Sequence, residues 1–345
     1  MSDPQQIGVL IVDDSAFIRH TLQKHLSAVP DIKVVGIARN GVEALAAIPK
    51  LEPDVVIMDV EMPQMDGLTA LKQIMIECPT PVIMLSALTQ RGASTTIRAL
   101  MRGAVDFVPK PDANTSIHVV IEELVEKIHL ATNMQQVDQY GTAVSTSNLA
   151  KSPPRPFVSG DKLIIIGTST GGPRALRQVV PQLPADLPAA LLIVQHMPAG
   201  YTNSFAQRLN ELSKYTVKEA EQGDFITCGQ ALVAPGGFHL QVSKGRVYLD
   251  DGPPRNHVRP AVDITMETAV THFGSSIIGV ILTGMGNDGT AGAEAIKEAG
   301  GITVVESEKT SIVYGMPGSV VKAGYADHIL PTTKIAPTLV ELVYG

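Results

Sequence analysis

The chain has 345 residues, of which 44% are hydrophobic, and it carries a formal net charge of −7. This length is enough for two domains and too long for a single core. The excess of acidic side chains argues against a nucleic-acid-binding protein, because such proteins normally present a basic face. Composition therefore favours a soluble globular chain of two domains without a nucleic-acid partner.

Cysteine use and the N-terminus indicate where the protein works. The two cysteines, Cys78 and Cys228, lie far apart in the chain, so we expect free thiols in a reducing compartment. The first residues lack the basic and apolar segments of a signal peptide. No apolar run reaches the roughly 18 residues that a membrane span needs. We therefore expect a cytoplasmic protein without direct membrane insertion.

Five short apolar runs in the first part of the chain alternate with amphipathic stretches, which predicts a doubly wound α/β domain. Polar side chains follow four of these runs: Asp13 and Asp14, then Asp59, Ser86 and Lys110. The carboxyl ends of parallel strands share one edge of a sheet, so these side chains are expected to lie close together. The predicted strands are residues 7–12, 33–38, 54–58, 81–85 and 104–108.

This predicted cluster has the composition of a phosphorylation site. Three carboxylates in one place repel one another and require a cation, and their hard oxygen atoms suit Mg²⁺. One carboxylate can then attack a phosphoryl group, while Lys110 neutralises the phosphoryl oxygens and the Ser86 hydroxyl binds one of them. A single acid after a strand is more often a solvated loop residue, but that explanation does not account for five ordered polar positions.

Four motifs in this segment, VDDS, DVEMPQMDG, Ser86-Ala87 and PKP, resemble the receiver domain of two-component response regulators. The resemblance implies a flavodoxin-like fold over residues 1–135 and phosphorylation of Asp59 by a histidine kinase. It also implies that Asp14 and Asp59 ligate Mg²⁺ together with the backbone carbonyl of Glu61, with Asp13 close by. Phe107 stands at the family's switch aromatic position.

Composition changes after a predicted helix over residues 115–132. Residues 136–158 are rich in Gln, Ser, Thr, Asn and Pro and have no sustained apolar periodicity, which predicts a flexible linker. The alternation of strands and helices then resumes. It predicts a second doubly wound parallel sheet over residues 159–345, a Rossmann-like three-layer domain. The predicted strands are residues 163–166, 190–194, 230–233, 276–282 and 302–305, with a hairpin over 241–249.

Three polar residues follow apolar strands in the second domain: Ser169, His196 and Asp288. Ser169 is the centre of a G-x-S-x-G turn, the pattern of an exposed nucleophile. His196 would act as its general base, and Asp288 would orient the imidazole. Backbone N–H groups near Met285 or in the Ser169 turn, at Thr170, would form the oxyanion site. The chain order Ser…His…Asp differs from that of α/β-hydrolases, so the fold is not expected to be one.

Two other functions remain open on the residues alone. The GTSTGG turn suits phosphate binding, so a receiver joined to a nucleotide-binding output module without hydrolase activity is an alternative. That module would carry a lysine in the loop, whereas Pro173 and Arg174 follow here. A DNA-binding regulator would need a basic face, which the composition lacks.

The motifs IGTSTGGP, VQHMP, APGGFHL, RPAVD and LTGMGNDG resemble the catalytic domain of chemotaxis protein-glutamate methylesterases. The resemblance implies Ser169, His196 and Asp288 as the catalytic triad and Met285 as an oxyanion-site residue, with no cofactor for ester hydrolysis. It implies methylated glutamates of chemoreceptor cytoplasmic helices as substrates, methanol as a product, and glutamine deamidation as a further activity. Gly167-Thr168 stands where many members have Gly-Ala. With the receiver upstream, the resemblance implies an esterase that is activated by phosphorylation.

Overall fold

The computed structural model describes residues 6–87, 89–111, 116–132 and 151–345. These residues separate into two compact units, one containing residues 6–132 and the other residues 151–345. Most of the predicted linker, residues 136–150, lies outside the described residues, as does residue 115 of the predicted fifth helix. The predicted domain limits at residues 135 and 159 stay predictions.

The first unit is a parallel sheet of five strands with a helix after each strand. The strand order is β2-β1-β3-β4-β5, the flavodoxin-like order. The strands are β1 Ile7–Val12, β2 Ile32–Ala38, β3 Val55–Asp59, β4 Val82–Ser86 and β5 Asp106–Pro109. The helices are α1 Ala16–Leu26, α2 Gly41–Leu51, α3 Gly67–Glu77, α4 Gln90–Leu100 and α5 Ile117–Thr132.

Short polar side chains begin the first helices of this unit. The Ser15 hydroxyl accepts the Ile18 N–H at the start of α1, and the Asp66 carboxylate accepts the Thr69 N–H at the start of α3. Such caps satisfy backbone donors that have no partner within the helix. Because each cap comes a few residues after a buried strand, the acids between strand and helix are held at the carboxyl edge of the sheet.

The second unit is a parallel sheet of seven strands in the order β16-β15-β14-β7-β8-β11-β9. Its strands are β7 Lys162–Thr168, β8 Ala189–Gln195, β9 Thr216–Glu219, β11 Gln230–Val233, β14 Ile277–Ile281, β15 Ile302–Glu306 and β16 His328–Leu330. Two small antiparallel pairs accompany it, β6 Arg155–Pro156 with β10 Thr227–Cys228, and β12 His239–Ser243 with β13 Arg246–Asp250. Its helices are α6 Gly172–Val179, α7 Thr202–Leu212, α8 Val262–Phe273, α9 Thr290–Glu298, α10 Met316–Ala323 and α11 Thr332–Tyr344.

The direction in which strands are added reverses at the middle of this sheet. From β7 the chain continues through β8 to the edge strand β9 and then inserts β11 between β8 and β9, and it later returns to place β14 on the other side of β7. Such a reversal opens a crevice at the carboxyl ends of the two central strands, where doubly wound proteins bind ligands. The predicted fold class, two α/β units with parallel sheets, is confirmed.

The central strands were predicted from their composition, and the outer ones were not. Every residue of β8 and β14 is buried, so each is a continuous apolar run. The two edge strands, β9 and β16, are mostly half-buried and carry Lys218 and His328, so no apolar run marks them. None of the described helices is both long and apolar enough to cross a membrane.

Candidate active site

Strand pairing places Ser169 and His196 side by side. Thr168 pairs with Gln195 at the ends of β7 and β8, and each strand is followed directly by one of the two residues. The backbone N–H of His196 donates to the Thr168 carbonyl at 3.0 Å. Ser169 thus lies at the carboxyl edge of the sheet, next to the histidine that was predicted as its base.

The loop after β14 approaches Ser169 from the other side. The Ser169 N–H donates to the Thr283 carbonyl at 3.0 Å, and the Thr168 hydroxyl donates to the same carbonyl at 2.8 Å. A Cβ atom at Gly284 would lie 2.8 Å from the Ser169 Cβ, so only glycine allows this close approach. The serine turn therefore lies between the loop that follows β14 and the residue that follows β8.

His196 and Asp288 form a buried pair. The His196 Nε2 lies 2.7 Å from the Asp288 Oδ2, and the two side chains are 10% and 3% exposed. Burial by itself raises the pKa of Asp288, but the hydrogen bond and charge of His196, with backbone N–H donors, lower that pKa below its usual value. Asp288 is therefore a stable carboxylate that fixes the orientation of the imidazole ring.

Backbone donors from two helix starts hold the Asp288 carboxylate. At the beginning of α8, the Val262 N–H donates to Oδ2 at 2.6 Å and the Asp263 N–H donates to Oδ1 at 3.0 Å. Just before α9, the Gly289 N–H donates to Oδ1 at 3.1 Å. A carboxylate at helix N-termini is stabilised by these otherwise unpaired donors and by the helix dipoles.

The atoms that a nucleophilic mechanism needs are left unengaged. Among the described residues, neither the Ser169 hydroxyl nor the Nδ1 atom of His196 makes a hydrogen bond. Because Nε2 faces Asp288, Nδ1 is the ring nitrogen that remains to accept the serine proton. In enzymes without substrate such hydrogen bonds are often absent and form on binding.

The two predicted oxyanion residues lie on either side of Ser169. Within the described part of the chain, the Met285 N–H has no acceptor, and the preceding residue is fixed by a hydrogen bond from the Gly284 N–H to the Val313 carbonyl at 3.0 Å. Thr170 is 5% exposed, and its carbonyl accepts the Thr283 hydroxyl at 2.9 Å. Their role as oxyanion donors stays a prediction.

Two polar residues of this site were not assigned a role from the sequence. The Gln195 side chain donates to the Ser169 carbonyl at 2.9 Å and to the His196 carbonyl at 3.1 Å, which ties the two loops together. The Asp263 carboxylate accepts the Gly289 and Gly292 N–H groups at 2.9 and 2.8 Å. Each stands inside a motif, VQHMP or RPAVD, but only the fold reveals its partners.

The predicted phosphorylation site is assembled in the first unit. Asp13, Asp14 and Asp59 each offer a carboxylate oxygen, and these oxygens all lie within 4.8 Å of one another. The Lys110 Nζ lies 2.8 Å from Asp13 and 2.7 Å from Asp59. Burial raises the pKa of Asp59 to about 6, although the Lys110 ammonium opposes the rise. This concentration of hard oxygen donors around a buried acid fits Mg²⁺.

Three further residues were predicted to belong to the phosphorylation site. The Glu61 N–H donates to the Asp59 Oδ1 at 3.3 Å, so the Glu61 backbone is beside the acid, as a carbonyl ligand requires. The buried Ser86 hydroxyl lies 2.6 Å from the Thr96 hydroxyl of α4, a partner that the sequence did not indicate. Phe107 is 4% exposed, and the Lys127 ammonium lies 5.6 Å from its ring centre.

Both parts of the chain match known protein families. The family described as CheB methylesterase matches residues 164–339, and the response regulator receiver domain matches residues 9–122. A protein-glutamate methylesterase/protein-glutamine glutaminase of Symbiobacterium thermophilum is 48% identical over 363 residues, 99% of this chain and 99% of the relative. The enzyme of that name from Thermotoga maritima is 48% identical over 344 residues, 98% of each chain.

A solved structure agrees with these matches. The crystal structure of the Thermotoga maritima CheB methylesterase catalytic domain superimposes with a TM-score of 0.51 at 48% identity, covering 53% of this chain and 98% of that one. Family membership does not favour the alternative of a nucleotide-binding output module. With its receiver domain and its methylesterase domain, the chain belongs to the family of protein-glutamate methylesterases/protein-glutamine glutaminases.

Proposed function

We propose that this enzyme hydrolyses glutamate methyl esters on the cytoplasmic helices of chemoreceptors by a Ser169–His196–Asp288 mechanism, and that phosphorylation of Asp59 raises its activity. The observation that carries the proposal is the buried His196–Asp288 pair, 2.7 Å apart, at the sheet edge beside Ser169. A serine next to an oriented imidazole is the arrangement that acyl transfer requires.

In the acylation half-reaction, the Ser169 oxygen attacks the ester carbonyl carbon while His196 Nδ1 takes the serine proton. The Asp288 carboxylate stabilises the imidazolium that results. The negative oxygen of the tetrahedral intermediate is bound by N–H groups, for which Met285 and Thr170 are the proposed donors. Collapse of the intermediate breaks the bond to the methoxy oxygen, which leaves as methanol with the proton from His196.

In the second half-reaction, water attacks the carbonyl carbon of the acyl group on Ser169, and His196 takes the water proton. The serine leaves with that proton, and the glutamate is released as a free carboxylate. A glutamine side chain follows the same steps and releases ammonia in place of methanol. The proposed reaction uses side chains and backbone donors only, with no cofactor.

We assign the regulatory step to the receiver site. Asp13, Asp14 and Asp59 would hold Mg²⁺, with the Glu61 carbonyl as a further ligand, and the bound ion would neutralise charge on the phosphoryl donor. The Asp59 carboxylate attacks the phosphorus of the phosphohistidine of a histidine kinase, the phosphorus–nitrogen bond breaks, and the kinase histidine leaves. Lys110, which is paired with Asp13 and Asp59, neutralises the phosphoryl oxygens. The Ser86 hydroxyl binds one of those oxygens, and Phe107 acts as the switch aromatic. The substrates and the kinase place this chemistry in the cytoplasm.

The test is methanol release from a chemoreceptor radiolabelled on its methyl esters, with and without a small-molecule phosphoryl donor and Mg²⁺. Ser169→Ala should abolish release while Asp59 is still phosphorylated. The exposed Ser243 offers a control, since Ser243→Ala should leave turnover unchanged. Near wild-type turnover in Ser169→Ala would refute the mechanism.

A second pair of variants tests regulation. Asp59→Asn should remove the rise in methanol release that the phosphoryl donor causes, because no carboxylate is left to accept the group. Asp31→Asn, which changes a half-exposed acid of the same unit, should keep the rise. If Asp59→Asn responds to the donor like the wild type, regulation through Asp59 is wrong.

A further inference from the structure

A second buried acid lies behind the His196–Asp288 pair. Asp263 is the second residue of α8, and it is 3% exposed. Its backbone N–H donates to the Asp288 Oδ1 at 3.0 Å. The two carboxylates also share one donor, because the Gly289 N–H lies 2.9 Å from the Asp263 Oδ1 and 3.1 Å from the Asp288 Oδ1.

The Asp263 side chain joins the starts of two helices. Its Oδ1 accepts the Gly289 N–H and, at 2.8 Å, the Gly292 N–H, both at the first turn of α9. Gly289 has a φ of +93°, and a Cβ there would lie 2.5 Å from an Ile281 methyl group, so only glycine fits at this position. Asp263 thereby fixes the position of the peptide that directly follows Asp288.

The strained turn of residues 255–258 also contacts Asp263. The Asn256 side-chain N–H donates to the Asp263 Oδ2 at 3.2 Å. Asn256 and His257 both have positive φ, +53° and +64°, and Arg255 and Val258 exchange backbone hydrogen bonds around them. Two consecutive left-handed residues other than glycine cost free energy and persist where the surroundings hold them. Here Asn256 is held by Asp263.

We propose that Asp263 is a positioning residue for ester hydrolysis, which holds Asp288 through the start of α9 and places a second negative charge behind His196. This inference rests on the proposed function, since it assigns to Asp263 a role that acts through the Ser169–His196–Asp288 site. Asp263 itself contacts neither serine nor histidine in the described structure, so its effect passes through Asp288 and the Gly289 backbone.

Two charged residues, Asp288 and Arg255, lie near the Asp263 carboxylate. Asp288 lies in the loop before α9, and its Oδ2 atom is hydrogen-bonded to the His196 Nε2. Arg255 faces Asp263 from the turn and is paired with Glu267 of α8. Burial, followed by the charge of Asp288, raises the pKa of Asp263 to about 6. Above that pH the ionised Asp263 carboxylate adds a second negative charge beside the Asp288 carboxylate, and a nearby negative charge favours protonation of the groups around it.

Two substitutions of Asp263 distinguish the effect of its hydrogen bonds from the effect of its charge. Asp263→Asn keeps an oxygen to accept the Gly289 and Gly292 N–H groups but removes the charge. We expect its kcat within about threefold of wild type and the acidic limb of its kcat/KM profile shifted down by about half a pH unit. Asp263→Ala also removes the acceptor, and we expect kcat to fall at least about tenfold with KM for methylated receptor unchanged within about twofold.

A matched control is Asp161→Asn. Asp161 is also buried, at 4% exposure, but it precedes β7 at the opposite edge of the sheet and pairs with Arg155. A purely structural effect of removing a buried acid lowers the melting temperature without moving the acidic limb, and that is the expectation for Asp161→Asn. An unmoved limb in Asp263→Asn, or a kcat within threefold of wild type in Asp263→Ala, would overturn the proposal.

The full-length enzyme is assayed by methanol release from radiolabelled methylated receptor between pH 5 and 9, with Ser169→Ala and Asp288→Asn in parallel. If Asp263→Ala does not fold, the acidic limb of the kcat/KM profile of Asp263→Asn is sufficient to test the proposal. Turnover by Ser169→Ala would mean that the proposed mechanism fails. Inactive Ser169→Ala and Asp288→Asn beside Asp263 variants with wild-type kinetics would mean that only this inference fails.

Discussion

Asp288→Asn should lose stability as well as activity, because four N–H donors converge on the carboxylate. His196 Nε2 and the Val262 N–H lie at Oδ2, while the Asp263 and Gly289 N–H groups lie at Oδ1. An amide has one oxygen and one NH₂ group. Whichever position the NH₂ group takes, it faces two N–H donors, and at least one of them loses its acceptor.

Either orientation of the amide has a calculable effect. With NH₂ at the Oδ1 position, the Asp263 N–H loses its acceptor, while the Gly289 N–H keeps its hydrogen bond to the Asp263 Oδ1. One buried backbone donor is then unpaired, which costs about 1–3 kcal/mol. With NH₂ at the Oδ2 position, His196 can accept only as the tautomer protonated at Nδ1, and that atom then no longer takes the Ser169 proton. We expect kcat to fall by about 10⁴, the scale for the wrong tautomer in a serine triad.

The assay combines methanol release with thermal unfolding of the full chain followed by calorimetry. A loss of about 2 kcal/mol corresponds to about 4–8 °C in the transition of a unit of this size. Asp250→Asn, at a half-exposed acid of β13, provides the control and should change neither quantity much. A kcat within tenfold of wild type together with an unchanged transition would refute the geometry of four donors on one carboxylate.

Four further predictions concern other residues of the two units. Lys110→Ala leaves the buried Asp13 and Asp59 without their counter-ion, so urea unfolding should show that the free energy of unfolding falls by about 3 kcal/mol. Lys24→Ala, at an exposed site, should leave that free energy unchanged, and equal urea midpoints for the two variants would contradict the prediction. EDTA should stop Asp59 phosphorylation and spare basal methanol release, and loss of basal release would argue for a metal in hydrolysis. Gly284→Ala puts a Cβ 2.8 Å from the Ser169 Cβ, so kcat should fall at least about tenfold, and an unchanged kcat would speak against that contact. The pKa of Asp263 in the folded protein, about 6, lies above its value in the unfolded chain, so the folded state binds the proton more tightly. The free energy of unfolding of wild type should therefore fall by on the order of 2 kcal/mol relative to that of Asp263→Asn as pH rises from 4 to 7. The same pH dependence of the melting temperature in both proteins would contradict this.

The sequence predicted the parts of the fold that are fully buried. A strand such as β14 is covered on both faces, so its residues must all be apolar and the strand is visible as a run. The residues after such runs, Ser169 and His196 among them, were correctly placed at one sheet edge, because parallel strands end together. Edge strands such as β16 lack this constraint, since one side of each is open.

The supporting contacts of the site were not predictable in the same way. Asp263 stands in the first turn of a helix, where an acid is ordinarily explained by the helix dipole. Its partners are backbone N–H groups of Gly289 and Gly292, and backbone donors leave no trace in a sequence. The Ser86–Thr96 hydroxyl pair escaped prediction because two small polar residues ten positions apart have no spacing that marks a contact.

The reversal of strand order at β7 has a consequence for the newly made chain. The turn that carries Ser169 is held by the Thr283 carbonyl, and the Thr168 hydroxyl that shares this acceptor is 115 positions earlier in the chain. A ribosome releases the serine long before it releases β14, and contacts between such distant segments form slowly. During synthesis, therefore, the growing polypeptide holds a serine with neither its acid nor its neighbouring loop. If hydrolysis uses the proposed Ser169–His196–Asp288 mechanism, an incomplete chain is inactive until β14 and the loop after it have been added to the sheet.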